Sequence, residues 1–272
     1  MFVYVQKMNP VYLFPRQTPG ATVLTRPGGW RLSIPAGTSD TYRLAQLDDY
    51  QRLPRRRFAW QPPMSISLRA RVSAPHLPGT WGFGLWNDPF GISLGLGGNR
   101  LRLPCLPNAA WFFHASPENY LSFQNDRPAQ GFLAQVFRSP RWPGWALFPA
   151  LVGTPFLAIR SFSRLMRWLS GKLIREDSRV CNTMPKRRET PESARLDVTQ
   201  WHAYHIEWRP NRIVFSIDHL PMLETPIVPR PPLALVIWID NQYAAWQPDG
   251  RFGFGVLQNP AAWMEIEDLD CT

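Results

Sequence analysis

The sequence has 272 residues, 44% of them hydrophobic, and a net charge of +10, a length within the range of one large β-sandwich. Its 29 prolines exclude a helical bundle, because proline removes a backbone donor and is kept out of helix interiors and central strands. Three cysteines, Cys105, Cys181 and Cys271, are an odd count at spacings of neither a zinc site nor a disulfide framework, which fits a reducing compartment.

The N-terminal MFVYVQKMNPVYLFPRQTPG has no basic start followed by an uninterrupted apolar run, since Lys7, Asn9 and Pro10 break it early. No secretory signal is read there, and a cytoplasmic or membrane-peripheral place is expected. Trp30–Ile34 is a first short strand. Met64, Ile66, Leu68, Ala70 and Val72 then alternate with Ser65, Ser67, Arg69, Arg71 and Ser73, the period-2 pattern of a half-buried strand. Trp81–Trp86, Arg100–Leu103, Ala109–Ala115 and Asn119–Phe123 are further candidates. The glycine run Gly95 to Asn99 lacks a following Lys-Ser/Thr and reads as a hairpin turn rather than a phosphate loop. Tyr204, Ile206 and Trp208, then Ile213, Phe215 and Ile217 beyond the turn at Pro210 and Asn211, predict an antiparallel hairpin. Leu233–Ile239 and Trp263–Leu269 complete the set. Many short strands joined by Pro/Gly turns predict an all-β, two-sheet antiparallel sandwich, a single domain over residues 1–272.

One segment, residues 131–199, departs from this pattern and is expected as a partly helical insertion. Trp142–Ile159 carries no charge, but its prolines and glycines break it too often for a membrane-spanning helix, which needs ~20 apolar residues. Phe162, Leu165, Met166, Leu169 and Leu173 then form a helical stripe, with Arg160, Arg164, Arg167 and Arg175 opposite. Residues 160–188 hold nine Lys/Arg against Glu176 and Asp177. This pattern predicts a surface, around residues 140–176, for an anionic membrane or a protein partner. Trp142, Trp145 and Trp168 would sit near the boundary, with Arg160, Arg164, Arg167 and Arg175 meeting charge. The alternative is that the apolar stripe covers one sheet while the arginines face water.

Three segments carry a family resemblance. GTWGFGLWNDPFG (Gly79–Gly91) resembles an early strand of the family 16 glycoside hydrolases, WHAYHIEWRPNRIVFSIDH (Trp201–His219) resembles their hairpin, and AAWMEIEDLD (Ala261–Asp270) their closing strand. The resemblance implies a concanavalin A-like jelly roll of the lectin/glucanase type, with a concave sugar-binding face. It also implies a strand with paired glutamates as nucleophile and acid, ~5–5.5 Å apart in a retaining enzyme. The strand that should carry them is Ala109–Asn119. It offers Trp111, Phe113 and Ala115 on one face and Phe112 and His114 on the other, with no carboxylate before Glu118.

The expected function is therefore a catalytically silent carbohydrate-binding jelly roll with a glycan partner. The alternative is a divergent glycosidase acting on a β-glucan-like polysaccharide in the same groove, with Glu118, Asp88 and Asp240 as the acids to test. Trp81, Trp86, Trp111, His114, Asp240, Asn241 and Trp246 are the candidate ligand residues, indoles for sugar faces and polar groups for hydroxyls. His202 and His205 read as structural, and Glu265, Glu267, Asp268 and Asp270 as a solvated strand face. No cofactor and no metal cluster is read; a calcium site of backbone oxygens and Asp would be invisible in sequence. Nucleic acid is not read as a partner, since the aromatics are not interleaved with the basic residues.

Overall fold

The alternation in Met64–Val72 becomes a strand whose residues are buried and half-buried in strict turn, and the whole architecture follows from strands of this kind. The computed structural model describes residues 11–51, 53–89, 105–142, 154–184 and 195–272. In chain order the strands are β1 (Phe14–Gln17), β2 (Thr22–Arg26), β3 (Gly29–Ile34), β4 (Leu44–Asp48), β5 (Met64–Val72), β6 (Thr80–Trp86), β7 (Ala109–Ala115) and β8 (Gly131–Arg138). After helix α1 (Arg160–Leu173) come β9 (Arg175–Val180), β10 (His202–Trp208), β11 (Ile213–Ile217), β12 (Leu220–Thr225), β13 (Ala234–Asp240), β14 (Gln242–Trp246), β15 (Phe252–Val256) and β16 (Ala262–Cys271).

They form two seven-stranded antiparallel sheets, in the orders β1-β4-β13-β6-β7-β8-β9 and β12-β11-β10-β5-β16-β3-β2, with β14-β15 as a separate hairpin. The chain is an all-β jelly-roll sandwich. Strands close in sequence are split between sheets, β5 from β6 and β12 from β13, so the pairings are mostly non-local. The expected hairpin is present, with Tyr204 opposite Ile217 and Trp208 opposite Ile213. Among the described residues, no helix is long and apolar enough to cross a membrane.

The core lies between the sheets. Phe112 is its aromatic hub, with ring centroids 5.7 Å from Phe83, 5.9 Å from Phe132, 5.1 Å from Tyr204 and 5.3 Å from Phe215. Trp208 and Ile206, at alternate positions of β10, are also closed to solvent. At ~25 cal/mol per Å² such rings are the main driving force for association of the sheets.

Several sequence expectations change. Asn119–Phe123 is not a strand; it is tied to the β14 hairpin by an isolated bridge at Tyr120. Tyr120 N donates to Ala244 O and Leu121 N to Ala129 O, while Glu176 accepts from Phe123 N and from the following Gln124 N. Residues 131–199 hold two strands of the first sheet, β8 and β9, around α1. Glu265 is not solvated: it is 3% exposed and held by Arg26 at 2.6 Å, Arg31 at 3.2 Å and Arg71 at 2.7 Å. It sits on the outer face of the second sheet, where Arg31 and Arg71 stack on Trp263 and Arg71 also on Trp201. The Gly95–Asn99 turn and the Arg100–Leu103 strand lie outside the described residues.

Candidate functional site

Each strand of the first sheet shows one face to the sandwich core and one away from it. On β6 and β7 the core takes Trp81, Phe83, Leu85, Ala110 and Phe112. The other face, the outer one, takes Trp86 from β6, Trp111 and Phe113 from β7, and Trp238 from β13. These rings form a second hydrophobic cluster with Tyr50 and Phe58 of the β4–β5 connection. Trp238 lies 6.5 Å from Trp86 with planes 9° apart, and 5.6 Å from Trp111. Trp111 lies 6.1 Å from Trp86 and 5.5 Å from Phe113.

Two glycines of β6 leave room for this layer. A Cβ at Gly82 would meet Phe112 O at 2.4 Å and the Trp238 ring at 2.9 Å. A Cβ at Gly84, where φ is +149°, would meet Ala110 O at 2.4 Å and Trp111 Cα at 2.6 Å. The indoles therefore lie close against bare backbone. Their N–H groups are oriented by neighbours: Trp111 Nε1 donates to Gln135 Oε1 at 3.1 Å, and Trp238 Nε1 to Thr80 Oγ1 at 2.9 Å.

At one edge of the aromatic layer β1 and β4 add polar groups. Gln46 Nε2 donates to Asp48 Oδ2 at 2.8 Å, and Tyr50 N to Asp48 Oδ1 at 3.2 Å. Arg16 pairs across the strands with Gln46, and its buried Nε has no hydrogen-bond partner. Burial raises the Asp48 carboxyl above the ordinary range, offset by Gln46 and Arg16. Arg16, Gln46, Asp48 and Trp238 were not among the sequence candidates. The signal for β4 was present, as polar Gln46 and Asp48 alternating with Ala45 and Leu47. For Trp238 there was none, since Leu233–Ile239 is apolar throughout.

Of the expected ligand residues, the fold brings Trp86 and Trp111 together, sets Asp240 on the same face, linked to Trp238 through Thr80 Oγ1, and places the others elsewhere. Trp81 is 1% exposed inside the sandwich, stacked between His114 at 5.5 Å and Phe132 at 4.9 Å. His114 shares that side, its Nε2 3.3 Å from Leu77 O, and burial pushes its pKa down to about 4. The odd spacing of Trp81 and Trp86 on one strand puts them on opposite faces, and the core takes Trp81. Asn241 is closed to solvent and fastens backbone: its Oδ1 accepts from Arg43 N, and its Nδ2 donates to Thr41 O and Leu257 O. Trp246 faces α1, donating from Nε1 to Ser163 Oγ at 2.9 Å.

The three acids do not converge either. Asp240 is buried, accepting from Thr80 N and Oγ1, Tyr42 Oη and Gln242 N, and burial pushes it up to about 6. Glu118 is exposed on the turn after β7. Asp88 follows β6 at a φ of +47°, its carbonyl held by Arg55. No group of three or more His, Cys, Asp and Glu suited to a metal occurs among the described residues.

No family model matches the chain, and no curated protein matches it. Solved structures do. A glycoside hydrolase family protein from Mycobacterium thermorestibile is 13% identical, with 90% of this chain and 76% of that one covered and a TM-score of 0.44. A legume lectin-like domain from Entamoeba histolytica is 11% identical over 96% and 89%, at a TM-score of 0.43. A GH16 protein of a Bacteroides ovatus mixed-linkage glucan locus, in complex with product, is 8% identical over 98% and 97%, at 0.46. The assignment to a jelly roll stands on the sheet order of the chain itself.

Proposed function

We propose that the protein is a carbohydrate-binding jelly roll without glycosidase activity, holding a glycan against the outer face of its first sheet. The observation that carries this reading is the aromatic layer of Trp86, Trp111 and Trp238 lying over Gly82 and Gly84 beside polar Gln46 and Asp48. Flat indoles suit the apolar face of a sugar, and amides and carboxylates suit its hydroxyls. Trp86 and Trp111 keep part of their surface in solvent and would make the first contact. On β7 the outer-face positions are Ala109, Trp111, Phe113 and Ala115, so this strand offers no carboxylate pair.

Titration of a glycan panel followed by tryptophan fluorescence tests the reading. A saturable change is expected with at least one glycan. It should be lost in Trp86→Ala and kept in Trp81→Phe, which alters an indole in the core. A flat response to every glycan would defeat the proposal.

A divergent hydrolase acting on a β-glucan-like polysaccharide is the second reading. Asp48 favours it, as a buried carboxyl of raised pKa on the outer face. We expect no appreciable release of reducing sugar from β-1,3 or β-1,4 glucans, since general acid–base assistance alone contributes ~10²–10⁴-fold. Robust release that vanishes in Asp48→Asn or Glu118→Gln would establish the enzyme instead.

A further inference from the structure

Helix α1 is mounted with its polar side inward. Ser163 and Arg167 are its buried residues. Ser163 accepts from Trp246, while Arg167 donates from Nη1 to Ser122 O at 2.5 Å and from Nη2 to Asn125 Oδ1 at 3.1 Å. The guanidinium also lies 5.1 Å from the Tyr120 ring centroid. Gly171 lets the helix approach closely, since a Cβ there would meet Phe123 O at 2.9 Å.

The apolar side is consequently left outside. Leu165 is 52% exposed, Trp168 59% and Leu169 39%, spaced at i, i+3 and i+4 on one face. Phe156 and Ile159, just before the helix, are each 53% exposed. The β14–β15 hairpin, tied to the helix through Trp246, adds Phe254 at 58%. Single exposed apolar residues are ordinary, but a group on adjoining elements marks an interaction surface.

The charge around this group is mostly positive; Asp249, on the β14–β15 turn near Arg160, is paired with Arg251 at 2.7 Å. Residues 160–180 contain six Lys/Arg and two acids. Of the acids, Glu176 is buried against Ser122, Phe123 and Gln124, and Asp177 is paired with Arg127 at 2.9 Å. Arg160, Arg164, Lys172 and Arg175 are exposed, with the Lys172 ammonium 5.6 Å from the Trp168 ring centroid. An apolar stripe with an amphipathic indole and cations at its margins suits the boundary between acyl chains and anionic headgroups. At 14 residues the helix is about 21 Å long, short of the ~30 Å needed to span, so it would lie along the surface. A two-fold contact with a second copy would set these cations against their own kind.

We propose that the outer face of α1, centred on Leu165, Trp168 and Leu169, docks the protein on an anionic lipid bilayer. This places Arg167 differently from the sequence expectation, since it is 3% exposed and anchors the helix inward; Trp145 lies outside the described residues.

The test is co-sedimentation of the full chain with phosphatidylcholine vesicles, with and without phosphatidylglycerol. Pelleting is expected only with phosphatidylglycerol present. Arg160→Gln/Arg164→Gln should weaken partitioning about 25-fold, at roughly fivefold per basic residue. Leu165→Ser/Trp168→Ser should abolish it while near-ultraviolet circular dichroism stays unchanged. Negligible pelleting of the unmodified chain with anionic vesicles, or pelleting that both variants retain, would overturn the proposal. So would a dimer in solution that Leu165→Ser/Trp168→Ser dissolves without any lipid binding, which would assign the face to a second copy.

Discussion

His114 is enclosed against Trp81, and its pKa of about 4 lies below the ordinary 6.5. Between those values the unfolded chain binds a proton that the folded chain refuses, so this residue lowers stability as pH falls from 6.5 to 4. Asp240 and Asp49 act oppositely. Burial lifts each to about 6 from the ordinary 3.8, so the folded chain holds protons that the unfolded chain has released. Their stabilising effect is present below 3.8 and lost as pH rises through 6. The two effects partly cancel across that window. His114→Phe should remove the histidine effect and steepen the loss of stability from pH 4 to 6, by about 1–3 kcal/mol. Thermal unfolding at a series of pH values measures this; an unchanged profile in His114→Phe would show that the ring is not held neutral.

At the scale of elements, α1 is held by a clamp on the 122–125 loop. Arg167 enters from the helix, Glu176 accepts from Ser122 Oγ on the β9 side, and Gln124 Nε2 donates to Gly171 O at 2.9 Å. Arg167→Met keeps bulk but leaves Ser122 O without this donor, a loss of ~1–3 kcal/mol. Hydrogen exchange should then quicken in α1 and leave β5 and β10 protected. Equal protection of α1 in both proteins would remove Arg167 as the anchor. The existence of α1 was legible in the sequence, and so were β5, β6, β7 and the β10–β11 hairpin, because their periodicity is strong. The orientation of α1 was legible only as two alternatives, an outward stripe or one covering a sheet, because a hydrophobic stripe is buried unless the polar face has better partners. Here Ser122 O, Asn125 and Trp246 Nε1 are those partners, all distant in sequence. For the same reason Trp86 and Trp111 could be nominated from sequence, whereas Trp81 could not be assigned to the core. Alternation separates faces without saying which one the second sheet covers.

For the whole molecule, the burial of Phe112 among rings from four other strands makes it the point where truncation should cost most. Phe112→Ala is expected to destabilise by about 3–5 kcal/mol, read from chemical denaturation. A loss under 1 kcal/mol would mean that the sheets are not joined through this aromatic hub. The order of the sheets has a separate consequence, at their open margins. The outermost strands are β1 and β9 in one sheet and β12 and β2 in the other. β1 contains Pro15 and β12 contains Pro221, each lacking the amide hydrogen that an added strand would use. Beside Pro221 the register of β12 slips against β11. β9 carries Arg175, Glu176, Asp177 and Arg179, and β2 ends on Arg26. Unpaired margins ordinarily invite neighbouring chains to add on and grow into fibres, and prolines, charges and irregular register are what block such growth. Among the described residues, β1, β9 and β12 are so protected, and β2, with Arg26 alone at its end, is the margin most open to an added strand.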